Sequence, residues 1–273
     1  MGSALRDVLV VMQWDLMKLK NQKIFLAMRV TWFVIQVLVF ARAVSYIVKR
    51  AVSELIGVDY YYFYLLGVYA SLLYSTGISR GYIVAEEFDD GIVEYHLSLP
   101  VKRGVLAVGR ILGSALSAVL FTLPMMLFVM LIVGLESPSS ISVSTVLVSI
   151  LAAVLFSVSI VGFVVLVVMG VRSTDLTDIL MGAVDAVLIR LSTVFYPLPI
   201  IEASGIAPYY VAAALNPISH FADFLRILVF PEYELIAKHG VLPTLLYIAG
   251  LAAGLLILAL EYYEKKLEAG GWK

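Results

Sequence analysis

Apolar residues run through this chain in long blocks separated by short polar interludes. Six blocks, 24–48, 60–82, 104–134, 143–171, 178–198 and 241–261, are each long enough for a helix to cross a hydrocarbon core of about 30 Å, which takes roughly 20 residues. The third and fourth exceed a perpendicular crossing and are predicted to tilt or to project from the bilayer. Pro124 is predicted to kink the third. Residues 1–23 follow a different rhythm. Leu5, Val8, Leu9, Met12, Leu16 and Leu19 recur at helical spacing, while Arg6, Asp7, Gln13, Asp15, Lys18 and Lys20 fall largely elsewhere. That pattern predicts an amphipathic helix lying in the headgroup plane, or else a plain lead-in to the first span. Between the last two spans, 199–240 is apolar yet interrupted by Pro199, Gly205, Pro208, Pro217 and Pro231. Short helices dipping back from the outer surface are expected there, because irregular backbone at membrane depth needs cover from protein or a water-filled cavity.

Composition supports that reading. The chain is 62% hydrophobic and only 14% charged, and its mean hydropathy is +1.00, whereas soluble domains carry about a quarter charged residues. The expected fold is therefore an all-α integral membrane protein of six transmembrane helices, one transmembrane domain over 1–273. A net charge of −1 offers no basic patch for nucleic acid. The absence of cysteine removes disulfides, thiolate metal sites and cysteine nucleophiles. The N-terminal residues lack the pattern of a cleavable signal peptide.

Charge concentrates in the interlude 83–103, where seven of the eighteen residues from Glu86 to Arg103 are charged. Such a segment between two spans is a candidate docking surface for a soluble partner. Orientation follows from lysines and arginines near the span ends. With both termini in the cytosol, Arg6, Lys18, Lys20, Lys23, Arg29, Arg80, Lys102, Arg103, Arg110, Arg172, Lys265, Lys266 and Lys273 lie inside. Only Lys49, Arg50, Arg226 and Lys238 lie outside. The acidic interlude is then cytosolic, and the chain is expected as a multi-pass protein of the cell (plasma) membrane.

Few motifs carry chemistry. Gly104 and Gly109 have phosphate-loop spacing but lack the Lys and Ser/Thr that phosphate and magnesium need. Small residues at four-residue spacing (Gly109, Gly113 and Ser117; Gly77 and Gly81; Gly250 and Gly254) predict close helix packing instead. His96, His220 and His239 have no metal-ligand spacing and are read as exposed or interfacial. The fifth span holds Asp178, Asp185 and Arg190, so it is expected to line the bundle interior, a cavity or a subunit interface. Asp178 and Asp185 share a face, from which Arg190 points away. Structural pairing and a translocation role are both open for them. Ser71 and Ser75 could face a polar path, or satisfy their hydroxyls on the preceding turn. Tyr60 to Tyr64 reads as an interfacial aromatic belt or a stacking platform, and Arg42 as a snorkelling residue.

Three stretches resemble a known family. The interlude Glu87-x-x-x-Gly91-x-x-Glu94, followed by Leu97-Ser-Leu-Pro100-Val-Lys102-Arg103-Gly and Gly109-Arg110, is similar to the loop between spans two and three of permease subunits of type-2 ATP-binding-cassette (ABC) exporters. Ser192 to Leu198, which includes Pro197, and the stretch from Leu215 to Arg226 resemble the outer segment that leads those permeases into span six. The amphipathic N-terminal helix resembles their connecting helix. His220 and the charges of span five depart from the family pattern.

The resemblance implies a subunit that pairs with a second copy of itself or a related permease and engages an ABC ATPase through the loop. ATP and Mg would be bound by that partner, since this chain holds no nucleotide-binding domain. Glu86, Glu87, Gly91, Glu94, Leu99, Pro100, Lys102 and Arg103 would form the coupling region. Pro197, Asn216, Pro217, Asp223 and Arg226 would hold an outer lid, and Ser71, Ser75, Asp185 and Arg190 would belong to a substrate path. The expected function is export driven by ATP hydrolysis in a separate subunit, with no catalysis in this chain. Two rivals are an ion-coupled carrier using Asp185 and a membrane-integral enzyme using Asp178, Asp185 and His220. A third is a membrane sensor or anchor without flux.

Overall fold

The computed structural model describes residues 2–48, 50–136, 141–171, 173–231, 233 and 240–268. His239, Lys238, Lys49, Arg172 and Lys273, used in the sequence reading, lie outside them. The described residues form helices throughout. An N-terminal helix α1 (Gly2–Lys20) leads into α2 (Lys23–Ile47), which contains a π-helical turn at Gln36–Phe40. Then come α3 (Arg50–Ile56), α4 (Tyr60–Asp89), α5 (Ile92–Ser98), α6 (Arg103–Glu136) and α7 (Val143–Val171). The last five are α8 (Thr174–Arg190), α9 (Leu198–Ala203), α10 (Ala207–Leu215), α11 (Pro217–Val229) and α12 (Val241–Glu268).

Four of these, α2, α6, α7 and α12, are long and apolar enough to cross a membrane. Three expected spans differ from their predicted bounds by about two turns or by an early stop: the sixth, expected at 241–261, runs on to Glu268. The second, expected at 60–82, is the front of a single helix that runs to Asp89, so Glu86 and Glu87 sit on its last turns rather than in a loop. The fifth, expected at 178–198, begins earlier and stops at Arg190 after 17 residues. Its end is fixed by contacts from α11 described below. As expected, 199–240 holds short helices, α9, α10 and α11. Helix α6 passes through Pro124 unbroken.

The centre of the bundle is α6 and α7, with α4 and α12 packed on them and α1 laid along α6. The small-residue ridges explain two of these seams. A Cβ at Gly77 or Gly81 would stand 2.9 Å from Ile160 or 2.6 Å from Val164 on α7. One at Gly109 or Gly113 would stand 2.6 Å from Val11 or 2.8 Å from Asp15 on α1. A Cβ at Gly250 or Gly254 would meet nothing within 4 Å among the described residues.

The structure adds to three sequence expectations. Helix α1 leaves Leu5 and Leu9 of its apolar stripe exposed and buries Val11 and the polar-face Asp15 against α6. The cause is a buried cation on α6. The aromatic run is a packed wall rather than an exposed belt, with Tyr60, Tyr61, Phe63 and Tyr64 all buried. Arg42 is paired with Glu136 (3.1 Å) and lies 4.3 Å from the Tyr61 ring centre, which ties α2 to α6 and α4.

Candidate functional site

Two polar clusters sit at opposite ends of α4, with a polar seam between them. At the end of the bundle bearing α1 and α5, the Arg110 side chain is fully buried. Its Nη1 donates to Asp15 Oδ1 at 2.6 Å, and its Nη2 donates to Glu87. Lys18 Nζ donates to Glu87 Oε1 at 2.9 Å and lies 3.9 Å from Asp15. Two cations and two carboxylates from α1, α4 and α6 thus neutralise one another where an unpaired charge would cost several kcal/mol. Burial raises the Asp15 carboxyl pKa, with Arg110 and Lys18 pulling the other way.

Helix α5 closes over this cluster. Gly91 takes a left-handed conformation (φ +69°), which lets the chain turn sharply after α4 and begin α5 within two residues of Asp89. Leu99 is extended ahead of Pro100, which ends α5. Val93 and His96 point inward, the imidazole stacking on Trp14 of α1 with ring centres 5.1 Å apart. That burial corrects the exposed placement expected of His96, and it lowers the pKa of the imidazole, against the pull of Glu87. The outward side of α5 leaves Ile92, Glu94 and Tyr95 exposed, flanked by Glu86, Asp90, Lys102 and Arg103.

At the far end, Arg226 of α11 is the hub. It donates to Asp223 Oδ1 (2.7 Å) and to the carbonyls of Thr193 (3.0 Å), Phe63 (3.0 Å) and Val194 (3.1 Å), while its guanidinium lies 3.5 Å from the Phe63 ring centre. Tyr233 donates to the same Asp223 oxygen at 2.9 Å. Asn216 caps α11 by accepting from the Ile218 amide. Its own amide donates to the carbonyls of Leu188 (2.7 Å) and Leu191 (3.1 Å). Those bonds occupy carbonyls at the end of α8 and stop that helix, after which 191–197 turns back to Pro197 at the start of α9. No side chain fits at Gly67, where a Cβ would stand 2.2 Å from the Val194 oxygen.

Between the clusters, α2 and α4 are separated by a polar seam of two cavities. The wider, about 790 Å³, lies toward the α5 end and is lined by Gln22, Phe25, Arg80 and Glu86, with Asp175 and Asp178 of α8. The narrower, about 260 Å³, is lined by Arg29, Trp32, Gln36 and Ser71. Ser75 lines both. Arg80 donates to Gln22 Oε1 at 2.7 Å, and Gln36 donates to the Tyr64 hydroxyl at 2.9 Å.

The family model described as ABC-2 family transporter protein matches residues 17–260. The chain belongs to this family. No curated protein matches it. An ABC-2 protein is a membrane-embedded transport permease, and pairing with an ABC ATPase subunit is general to the family.

Within this ABC-2 permease the residues singled out in the sequence divide clearly. Asp223 and Arg226 meet in one network, and Asn216 caps the same helix, α11, with Pro217 at its first turn. Glu86, Gly91, Glu94, Leu99, Pro100, Lys102 and Arg103 surround α5. Glu87 does not share their surface, being 5% exposed and bound to Arg110 and Lys18. Ser75 and Ser71 line the seam, although the Ser71 hydroxyl also donates to the Val68 carbonyl at 2.9 Å. Asp185 and Arg190 are not among the lining residues of either cavity: Asp185 is half-buried near Tyr74, and Arg190 is exposed. His220 packs at a tilt on Tyr247, with ring centres 4.0 Å apart, on a different element from Asp178 and Asp185. Sequence reasoning missed Asp15, Arg110, Trp14 and Gly67. The signal for Arg110 was a cation inside an apolar run with no acid within a helical turn of it.

Proposed function

We propose that this chain is the membrane-spanning subunit of an ATP-driven exporter, working as a dimer with separate ATPase subunits that bind ATP and Mg. In this reading α4 and α8 complete a set of six spans, both termini and α5 face the cytosol, and the protein resides in the plasma membrane. Helix α5 is the coupling element. The observation that carries the reading is the construction of α5: a seven-residue helix, anchored by Val93 and His96, that presents Ile92, Glu94 and Tyr95 outward. An exposed aromatic ringed by charge suits a partner groove, where one anchor residue supplies much of the affinity and the charges set salt dependence. Force on α5 reaches the bundle through the Trp14 stack and through Glu87, which shares Arg110 with Asp15. Alternating access then needs ATP binding to favour one arrangement by about 5.5 kcal/mol for near-complete switching.

The test is purification of the tagged full-length chain from its native cells in mild detergent, with identification of any stoichiometric ATPase. Tyr95→Ala combined with Glu94→Lys is expected to weaken that association at least about 30-fold, the scale of losing one interfacial anchor, with thermal stability unchanged. Full retention of the ATPase by this variant would remove α5 from the coupling role. Recovery of the wild-type chain with no ATPase at any salt concentration would overturn the exporter reading and leave the ion-coupled carrier.

A further inference from the structure

The seam between α2 and α4 has three properties that together describe a ligand. It is continuous: the two cavities share Ser75, and the lining residues of α4 extend from Val68 to Glu86, a rise of about 27 Å at 1.5 Å per residue. It is open on its outer side: Phe25 and Trp32 line the cavities yet remain 54% and 59% exposed, and Ile24 and Met28 beside them are 80% and 67% exposed. And its charge is sorted by depth. The wide mouth carries the carboxylates of Glu86, Asp175 and Asp178, with the Arg80 guanidinium among them, while Arg29 stands in the narrow part with its Nε buried and without a hydrogen-bond partner among the described residues.

We propose that this seam is the path of a zwitterionic headgroup on an amphiphile drawn from the cytosolic leaflet. The acid group meets Arg80 and then Arg29, and the ammonium group faces the mouth carboxylates. The proposal rests on the transporter reading above and names its substrate class. A charged head cannot enter hydrocarbon without a large penalty. A polar seam open to lipid removes that penalty, because the head moves between Gln22 and Gln36 while the tail stays in the bilayer against Ile24, Met28 and Trp32. The sorted charges select the head. A simple anion is repelled by three carboxylates at the entrance, and a simple cation by Arg80 among them and by Arg29 beyond, so a head bearing both charges is favoured by discrimination against each alternative. The narrow end lies beside the π-helical turn at Gln36–Phe40, a distortion that often accompanies functional sites.

The experiment uses the purified full-length chain in an uncharged detergent, without nucleotide or ATPase, and four single-chain amphiphiles with the same bromine-labelled tail. Their heads are phosphoethanolamine, phosphate, a primary ammonium and uncharged glycerol. Quenching of Trp32 fluorescence reports binding, with Trp32→Phe as the blank. The phosphoethanolamine probe is expected to bind at least about tenfold more tightly than the other three, the value of one charge-assisted pair. Arg29→Gln should lower that affinity about tenfold and, by removing a repelling charge, tighten the ammonium probe, while Glu86→Gln with Asp178→Asn should erase the preference over the phosphate probe. Ser75→Phe, which fills the junction of the cavities, should abolish quenching even if an arginine variant proves unstable. Equal binding of the glycerol probe would show adsorption of the tail alone and overturn the proposal, as would insensitivity to Arg29→Gln. Either failure leaves the ATPase association untouched, so the two readings fall separately.

Discussion

At the scale of single residues, the decisive groups are charges placed where water does not reach. Arg110 is visible in the sequence as an oddity, but its partners are not, because Asp15 lies 95 positions away and the periodicity of α1 assigns it to the polar face. Only the fold shows that Asp15 turns inward with Val11 while Arg6, Gln13 and Lys20 stay exposed. His96 is a second case. Flanked by Tyr95 and Glu94, it reads as solvent-exposed, yet it is buried against Trp14 and faces Glu87, Arg110, Lys18 and Asp15. Because burial lowers its pKa below the ordinary 6.5, the unfolded chain binds a proton on acidification before the folded chain does. Its neutral form is fully compatible with folding above about pH 6.5, and stability is lost as pH falls below that value, by at most about 1.4 kcal/mol per pH unit. Thermal melting at pH 7.5 and pH 5.5 is therefore expected to show a drop in the wild type that is smaller in His96→Phe, which keeps a ring on Trp14 but cannot titrate. Equal drops in the two proteins would place the sensitivity elsewhere.

At the scale of elements, hydrophobic blocks located α2, α6, α7 and α12 well, since length and hydropathy alone define such helices. The bounds of α4 and α8 were less legible for a physical reason. Helix α4 continues past its apolar block because Glu87 finds cations waiting on its neighbours, and α8 stops inside its block because Asn216 takes its terminal carbonyls. The Asn-Pro pair was readable as a local turn. Its long-range partners, which are backbone oxygens, carry no residue code. The glycine ridges are a sharper test of how elements meet. A side chain at Gly113 collides with Asp15 and with the Met12 backbone at 3.0 Å, neither of which can yield without moving α1. Gly113→Val is expected to cost about 1–3 kcal/mol, the usual scale of overpacking, measured as a lowered melting midpoint. Gly250→Val, in open space on α12, should stay within about 0.5 kcal/mol. Equal losses in both would mean that helix propensity, not the α1 seam, sets the effect.

At the scale of the whole molecule, α4 joins two polar clusters that are built differently. The far cluster binds backbone carbonyls through one guanidinium and closes a loop onto a helix end. The near cluster binds side chain to side chain across three helices, and α1 reaches the bundle chiefly through it and through the glycine seam. Removing the shared cation should therefore act locally. Arg110→Gln leaves Asp15 and Glu87 close together and buried with only Lys18 to offset them, a change on the order of 3–5 kcal/mol. In hydrogen exchange followed by mass spectrometry, the amides of α1 and α5 are expected to lose protection in this variant. Those of α11, held by Arg226 and Asp223, should exchange as in the wild type, because local opening draws on local contacts. A loss that spreads equally to α11 would show that α4 ties both ends into one cooperative unit. The near cluster would then be part of the global fold rather than a joint through which α5 can be moved while the far end stays closed.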